Sequence, residues 1–216
     1  VIATTRAIDN MLMVVCGVAG VEVQTEVIWD IAQGNKMPRI IFINKLEREN
    51  SCFETVVEQM REKYGTGIVP LQLPMGKEAD FVGMIDLLNE KAYKFENGKS
   101  VEIPIPEEYM EEYEANRTYL IEVAAESCDE LLLKYLEGEV PTNKEILSAL
   151  RMGIANGEIF PVVGGSVAKN MGIDILMDIC VDLLPIPTVN AAAPASAIVF
   201  KTLADPFVGK LSFIKV

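Results

Sequence analysis

The run Pro38-Arg39-Ile40-Ile41-Phe42-Ile43 constrains this chain more than any other stretch, because five of its six residues are apolar or proline. A run this short, rich in Ile and Phe and bounded by turn residues, reads as a strand buried on both faces. Such a strand needs cover on either side, and the flanking pattern supplies it. Met11 to Val18 reads as a central strand. Glu22 to Gln33 reads as a helix with Val27, Ile28, Ile31 and Ala32 on its inner face and Gly34-Asn35 as its stop. Cys52 to Tyr64 reads as a second helix, with Phe53, Val56, Val57 and Met60 inward and Gly65 ending it. Val1 to Ile8 reads as the end of an earlier helix. This β-α-β-α alternation predicts a parallel sheet with right-handed crossovers.

The alternation stops after Ile68. Val82-Gly83-Met84-Ile85-Asp86-Leu87 and Lys91-Ala92-Tyr93-Lys94-Phe95, with Glu96-Asn97-Gly98-Lys99 as a turn, predict a small antiparallel piece. Pro104 and Pro106 separate it from one long predicted helix, roughly Glu107 to Leu136, in which Leu120, Ala124, Cys128, Leu131 and Tyr135 recur at helical spacing. Thr142 with Glu145 three residues on reads as a capping box for a helix running to about Ala155. The sheet pattern resumes at Phe160 to Val163, and Gly172 to Leu184 reads as a closing helix stopped by Pro185 and Pro187. Its core face would carry Ile173, Leu176, Cys180 and Leu183. Ala191-Ala192-Ala193-Pro194 reads as a short linker, and Ser196 to Lys201 and Lys210 to Val216 as two further strands. The sequence starts without Met inside a helical pattern and stops inside a strand pattern, so both ends read as cut.

Half of the 216 residues are apolar, enough for a sizeable core. The formal charge of −13 argues against a generic grip on nucleic acid, which rests on Lys and Arg. There is no His, and Cys16, Cys52, Cys128 and Cys180 are widely spaced, which disfavours a metal site. Free thiols in a cytosolic protein are the expected state, with Cys16 and Cys180 in apolar patterns typical of buried ones. Val1-Ile2-Ala3-Thr4-Thr5-Arg6 has no signal-peptide pattern. The longest apolar stretch, Met11 to Val21, is too short to cross a bilayer. Eleven acidic residues between Glu107 and Glu139 read first as the wet face of a helix and second as a docking surface for a basic partner.

Two strand ends carry the candidate chemistry. Asn44-Lys45-Leu46-Glu47 closes the first run, at the carboxyl end of a parallel strand, where open α/β sheets bind ligands. A planar amide can pair with a base edge, a Lys stem can lie along a ring, and a carboxylate can accept two hydrogen bonds from one edge. That set suits guanine, against the bland reading of a polar turn. Downstream, Phe160-Pro161-Val162-Val163-Gly164-Gly165 ends in Ser166-Val167-Ala168-Lys169, a second loop at the same end of the sheet. Two such motifs in this order are far more specific than either alone.

Together with Asp9 to Cys16, Gly20 to Glu26, Val69 to Gly76, Lys134 to Gly138 and Phe200 to Leu211, these motifs resemble the bacterial elongation factor G family of translational GTPases. The resemblance covers nearly the whole sequence and corresponds to a fragment of a larger protein. It implies an α/β fold, a P-loop GTPase-type parallel sheet without its N-terminal strands and P-loop, bearing an α+β insert and the first strands of a β-barrel. In those terms 1–47 is the central part of the GTPase domain, 48–159 the insert, 160–187 the last strand and helix, and 188–216 a linker and the start of the barrel. The linker is shorter than the resemblance implies.

The resemblance assigns Asn44 to the N7 edge of guanine and to tying the two loops together, Lys45 to the faces of base and sugar, and Ser166 and Val167 to the second base loop. Position 47 departs from the family, which has Asp there. Glu47 is one methylene longer, and a misplaced acceptor costs about 1–3 kcal/mol per group left unpaired. GTP or GDP, with Mg²⁺ in the intact protein, is the implied cofactor. The implied partners are the ribosome and its large-subunit stalk protein, with no membrane and no DNA, in the cytoplasm. The implied function is GTP hydrolysis driving ribosomal translocation. The alternatives are a ribosomal protection protein, a class-3 release factor, or a non-catalytic stalk-binding module. No Gly-x-x-x-x-Gly-Lys-Ser/Thr occurs, and the family's water-positioning His has no counterpart here. These residues alone therefore include no catalytic group and no metal ligand, and cannot hydrolyse GTP.

Overall fold

Short strands composed mainly of aliphatic residues build the first layer. In the computed structural model, which describes residues 2–187, 192, 194 and 196–216, a single 3-10 turn at Thr4–Arg6 precedes β1 (Met11–Cys16). The helix expected over Val1 to Ile8 is reduced to that turn, and Val1 lies outside the described residues. Next come α1 (Val23–Gly34), β2 (Arg39–Asn44), α2 (Phe53–Tyr64) and β3 (Ile68–Pro70). The chain then leaves the layer through β4 (Gln72–Met75), β5 (Gly83–Asp86), β6 (Lys91–Glu96) and β7 (Lys99–Ile103). Three helices follow, α3 (Met110–Glu126), α4 (Asp129–Leu136) and α5 (Asn143–Asn156). It returns in β8 (Phe160–Gly164) and α6 (Ile173–Leu183), and ends in a hairpin of β9 (Ile198–Asp205) and β10 (Gly209–Lys215).

The parallel sheet has the order β1-β2-β8-β3. It therefore takes one strand, β3, from the segment 48–159 that the sequence reading assigned wholly to the insert. β2 is buried on both faces, as its composition requires. Ile41 and Ile43 join Trp29 and Ala32 of α1 and Val56, Val57 and Met60 of α2 in one core. Ile40 and Phe42 join Leu120, Leu150, Ile154 and Leu176, from α3, α5 and α6, in the other. On α1 the buried residues are Ile28, Trp29 and Ala32, while Val27 is exposed. The helix is rotated relative to the expected face because the indole, with the larger apolar area to bury, takes the inner position.

Four antiparallel strands, β4-β5-β6-β7, form the second sheet. It is joined to the first at Leu71, whose N–H donates to Val162 O (2.9 Å) and whose carbonyl accepts from Leu87 N (2.9 Å). The β6–β7 turn runs through Asn97 and Gly98, both with positive φ (52° and 73°), as a two-residue hairpin of primed type demands. The long helix expected over Glu107 to Leu136 is two helices, broken at Ser127-Cys128 where Cys128 is extended. The linker read at 191–194 lies largely outside the described residues. All four cysteines are unpaired and half-buried.

Candidate functional site

The parallel register sets Cys16 opposite Asn44 and Ile43 opposite Gly164, so the carboxyl ends of β1, β2 and β8 lie side by side. The two loops named from sequence meet there and are stitched together. Gly165 N–H donates to Ile43 O (3.0 Å), and Leu46 N–H donates to Gly165 O (3.3 Å). Asn44 Oδ1 accepts from its neighbour Lys45 N–H (2.8 Å) and, across the gap, from Val167 N–H (3.0 Å). Asn44 O accepts from Gly17 N–H (2.7 Å), which adds the loop after β1 to the cluster. Glycine at 165 is a requirement of this approach, since a Cβ there would fall 2.5 Å from Met171 O.

Each member of the tetrad has a distinct environment. Lys45 has φ 69°, a left-handed conformation uncommon outside Gly, Asn and Asp, which turns the chain sharply off β2. Its ammonium lies beside the Cys16 thiol. Burial works to raise that thiol's pKa, but the N–H groups of Ala19 and Val18 and then the Lys45 charge outweigh it and leave the thiol below its ordinary value. Leu46 is buried and anchors the turn, and Ser51 Oγ donates to its carbonyl (2.8 Å). Glu47 Oε2 is shielded from water and has no hydrogen-bond partner in the protein. A carboxylate oxygen in that state costs free energy until a donor reaches it. Such an oxygen can accept from an N–H donor brought to this end of the sheet.

The second loop is closed on itself. Ser166 is fully buried and exchanges hydrogen bonds with Met171, Ser166 N–H to Met171 O (3.1 Å) and Met171 N–H to Ser166 O (2.9 Å). Its Oγ accepts from Lys169 N–H (3.1 Å), so the hydroxyl shapes the loop from within. Asn170 N–H donates to Val167 O (3.2 Å), and the Lys169 side chain is exposed. With Val167 N–H held by Asn44, the N–H groups of 166, 167, 169 and 170 are all engaged within the protein. Ala168 N–H is the one the loop leaves open. Sequence reasoning passed over Ala168 and Cys16, because which amides a short loop consumes internally is fixed by its closed geometry and not by residue type.

Away from these loops, the eleven acidic side chains between Glu107 and Glu139 are all exposed, as a wet face requires. Among the described residues no group of three or more His, Cys, Asp or Glu side chains is placed to hold a metal ion. Among them, too, no helix is long and apolar enough to cross a membrane.

A family model for the elongation factor Tu GTP-binding domain matches residues 1–186. Elongation factor G of Mycoplasma pneumoniae is 38% identical over a 232-residue alignment that covers 98% of this chain and 34% of that protein. A crystal structure of a Thermus thermophilus protein is similar with a TM-score of 0.88 at 32% identity, over 98% of this chain and 32% of the other. The chain thus spans about a third of the length of these relatives.

Proposed function

The chain belongs to the elongation factor Tu GTP-binding domain family, and on that premise we propose that it is the base-reading part of an elongation factor that uses GTP hydrolysis to move the ribosome. The observation that carries the reading is the double acceptor role of Asn44 Oδ1, which locks the Asn44–Glu47 turn to the 166–170 loop at one end of the sheet. Asn44 keeps its amide N–H₂ for a base edge. Glu47 Oε2, buried and unpartnered, accepts from the base. Ala168 N–H is the open donor for the base's carbonyl. Lys45, beside Cys16, swings its stem across the ring. GTP supplies a cleavable γ-phosphate. Its phosphates and Mg²⁺ would be held by groups other than these, since the sequence contains no phosphate-cradling loop.

On this reading, 1–70 and 160–187 form the nucleotide-binding layer, 71–159 the insert, and 188–216 the entry to a further domain. The pairing of β3 with β8 supports moving the insert's start past Pro70. The ribosome and its stalk protein are the proposed partners, in the cytoplasm. With a formal charge of −13, the chain suits contact with basic ribosomal protein better than with RNA phosphate.

Competition titrations with GDP, ADP and XDP on the full-length protein test the base site. Glu47→Gln places a donor against the base's own donors and should weaken GDP by about 5- to 150-fold, the equivalent of 1–3 kcal/mol. Glu47→Asp should leave guanine-over-adenine discrimination unchanged or improved. Unchanged GDP affinity in Glu47→Gln would remove residue 47 from the base.

A further inference from the structure

The second base loop does not stand alone. The β6–β7 hairpin of the antiparallel sheet reaches it with three successive contacts. At the tip, Asn170 Nδ2 donates to Gly98 O (2.9 Å). One residue pair further on, Asp174 in the first turn of α6 accepts from Ser100 twice, from its N–H (3.0 Å) and its Oγ (2.6 Å). Beneath both, the Phe95 ring lies against Gly172, close enough that a Cβ there would be 3.3 Å from it. Ser100 belongs to β7, the outer strand of its sheet, and spends an edge N–H on α6. Hence residues 170–174, which close the loop through Met171, are gripped from outside by a hairpin about 70 residues earlier, the Ser100–Asp174 pair being 74 apart in sequence.

We propose that this hairpin is a clasp that holds the 166–170 loop in its closed form, with Ser100, Asn170 and Asp174 as positioning residues that set how long a guanine nucleotide stays bound. The proposal rests on the base-binding reading above and adds to it a mechanical route. The loop's conformation is determined by its internal bonds and by Asn44 on one side. On the other it is determined by Gly98 and Ser100, which move with the antiparallel sheet. Displacing that sheet, by a partner bound to the insert, pulls on Asn170 and Asp174 first. It then opens the Ser166–Met171 pair and frees Val167 from Asn44. The insert thereby acts on the nucleotide without touching it, through a two-state element that both sites bias. The Asp174 carboxyl is consistent with this role. Burial works to raise its pKa, but the Ser100 hydroxyl and N–H together with helix N–H groups hold it below the ordinary value.

The test is a double-mutant cycle on Ser100→Ala and Asp174→Ala in the full-length protein, with Asp174→Asn as the conservative variant. In the nucleotide-free protein, amide exchange at 166–169 should rise in Asp174→Ala while that of β1 and β2 stays as in the parent. Exchange unchanged at 166–169 overturns the clasp, whatever the nucleotide measurements give. Release of fluorescent GDP should quicken about three- to tenfold in Asp174→Ala. It should quicken no further in the double variant, because both changes break one contact. Asp174→Asn, which keeps an acceptor for Ser100 N–H, should recover part of the loss. Additive effects would show that Asp174 acts only within α6 and would overturn the proposal. If Asp174→Ala raises exchange but leaves GDP release unchanged while Glu47→Gln alters GDP affinity, the clasp fails as a nucleotide device and the base site stands. If neither variant affects GDP, it is the base site that fails.

Discussion

Among the described residues, Arg39 is the one cation in the interior of the parallel layer, with no measurable exposure. Its guanidinium lies 4.0 Å over the Trp29 ring and 4.3 Å from the Phe160 ring, and Nη2 donates to Gln33 Oε1. Nε and Nη1 have no partner. Burial pushes its pKa down to about 10, against a smaller opposing effect of Tyr64, so the group is still charged at neutral pH. Two cation–π contacts contribute about 0.5–2 kcal/mol each, and two orphaned buried donors cost about 1–3 kcal/mol each. The costs win by a small margin, so Arg39→Met should leave stability unchanged or raise it by about 1–2 kcal/mol in urea denaturation. A loss beyond about 2 kcal/mol would mean that the stack outweighs the desolvation. Sequence alone marked Arg39 only as the odd member of an apolar run. Its cage depends on Trp29 facing inward, and helical periodicity had placed Val27 there instead.

At the scale of elements, α5 shows how much a short local pattern can carry. Thr142 Oγ1 accepts from Glu145 N–H (3.4 Å) while the Glu145 carboxylate accepts from Thr142 N–H (2.9 Å) and Oγ1 (2.8 Å), the reciprocal box read from the sequence. Thr142→Ala should cost about 1 kcal/mol and lower Tm by about 2–4 °C. The Lys134 ammonium, then the Thr142 N–H and hydroxyl, hold the Glu145 carboxyl down at about 2. A depressed carboxylate stabilises the fold above its unfolded pKa, and that contribution is lost as pH falls through the folded one. Glu145→Gln should therefore flatten the acid limb of the stability curve between about pH 4.5 and 2. An unchanged limb in circular-dichroism titrations would mean the box does not titrate with folding. By contrast, the break between α3 and α4 left no trace in the pattern. Leu120, Ala124, Leu131 and Tyr135 keep helical spacing on both sides of Ser127-Cys128, and no Gly or Pro marks the kink. Periodicity reports which face is apolar and is blind to a one-residue change of axis.

For the whole molecule, a formal charge of −13 leaves net self-repulsion that exposed ion pairs such as Lys91–Glu102 offset only weakly. Raising NaCl from about 10 to 150 mM shortens the screening length from about 30 to 8 Å. It should raise Tm by a few degrees, about 2–4 °C, in a thermal scan. A fall would show that attraction dominates instead. The doubly buried character of β2, the α/β class and the two polar loops at the strand ends were legible because each rests on a contiguous run. The membership of β3 in the parallel sheet and the hydrogen bonds from the β6–β7 hairpin to Asn170 and Asp174 were not, because each is a pairing between segments far apart in sequence, which composition cannot register. That same topology has a consequence for how the protein is made. β2 and β3 do not touch each other in the sheet; each pairs with β8. A ribosome adding about 5–20 residues per second must synthesise some ninety more residues after Pro70 before Phe160 exists. For roughly 5–20 s the nascent chain carries Ile68 and Val69 with their eventual partner still unmade. Meanwhile the four strands β4 to β7, each paired with its neighbour in sequence, already have their hydrogen-bonding partners. Birth order thus favours an antiparallel sheet that pairs first and a parallel sheet that closes last.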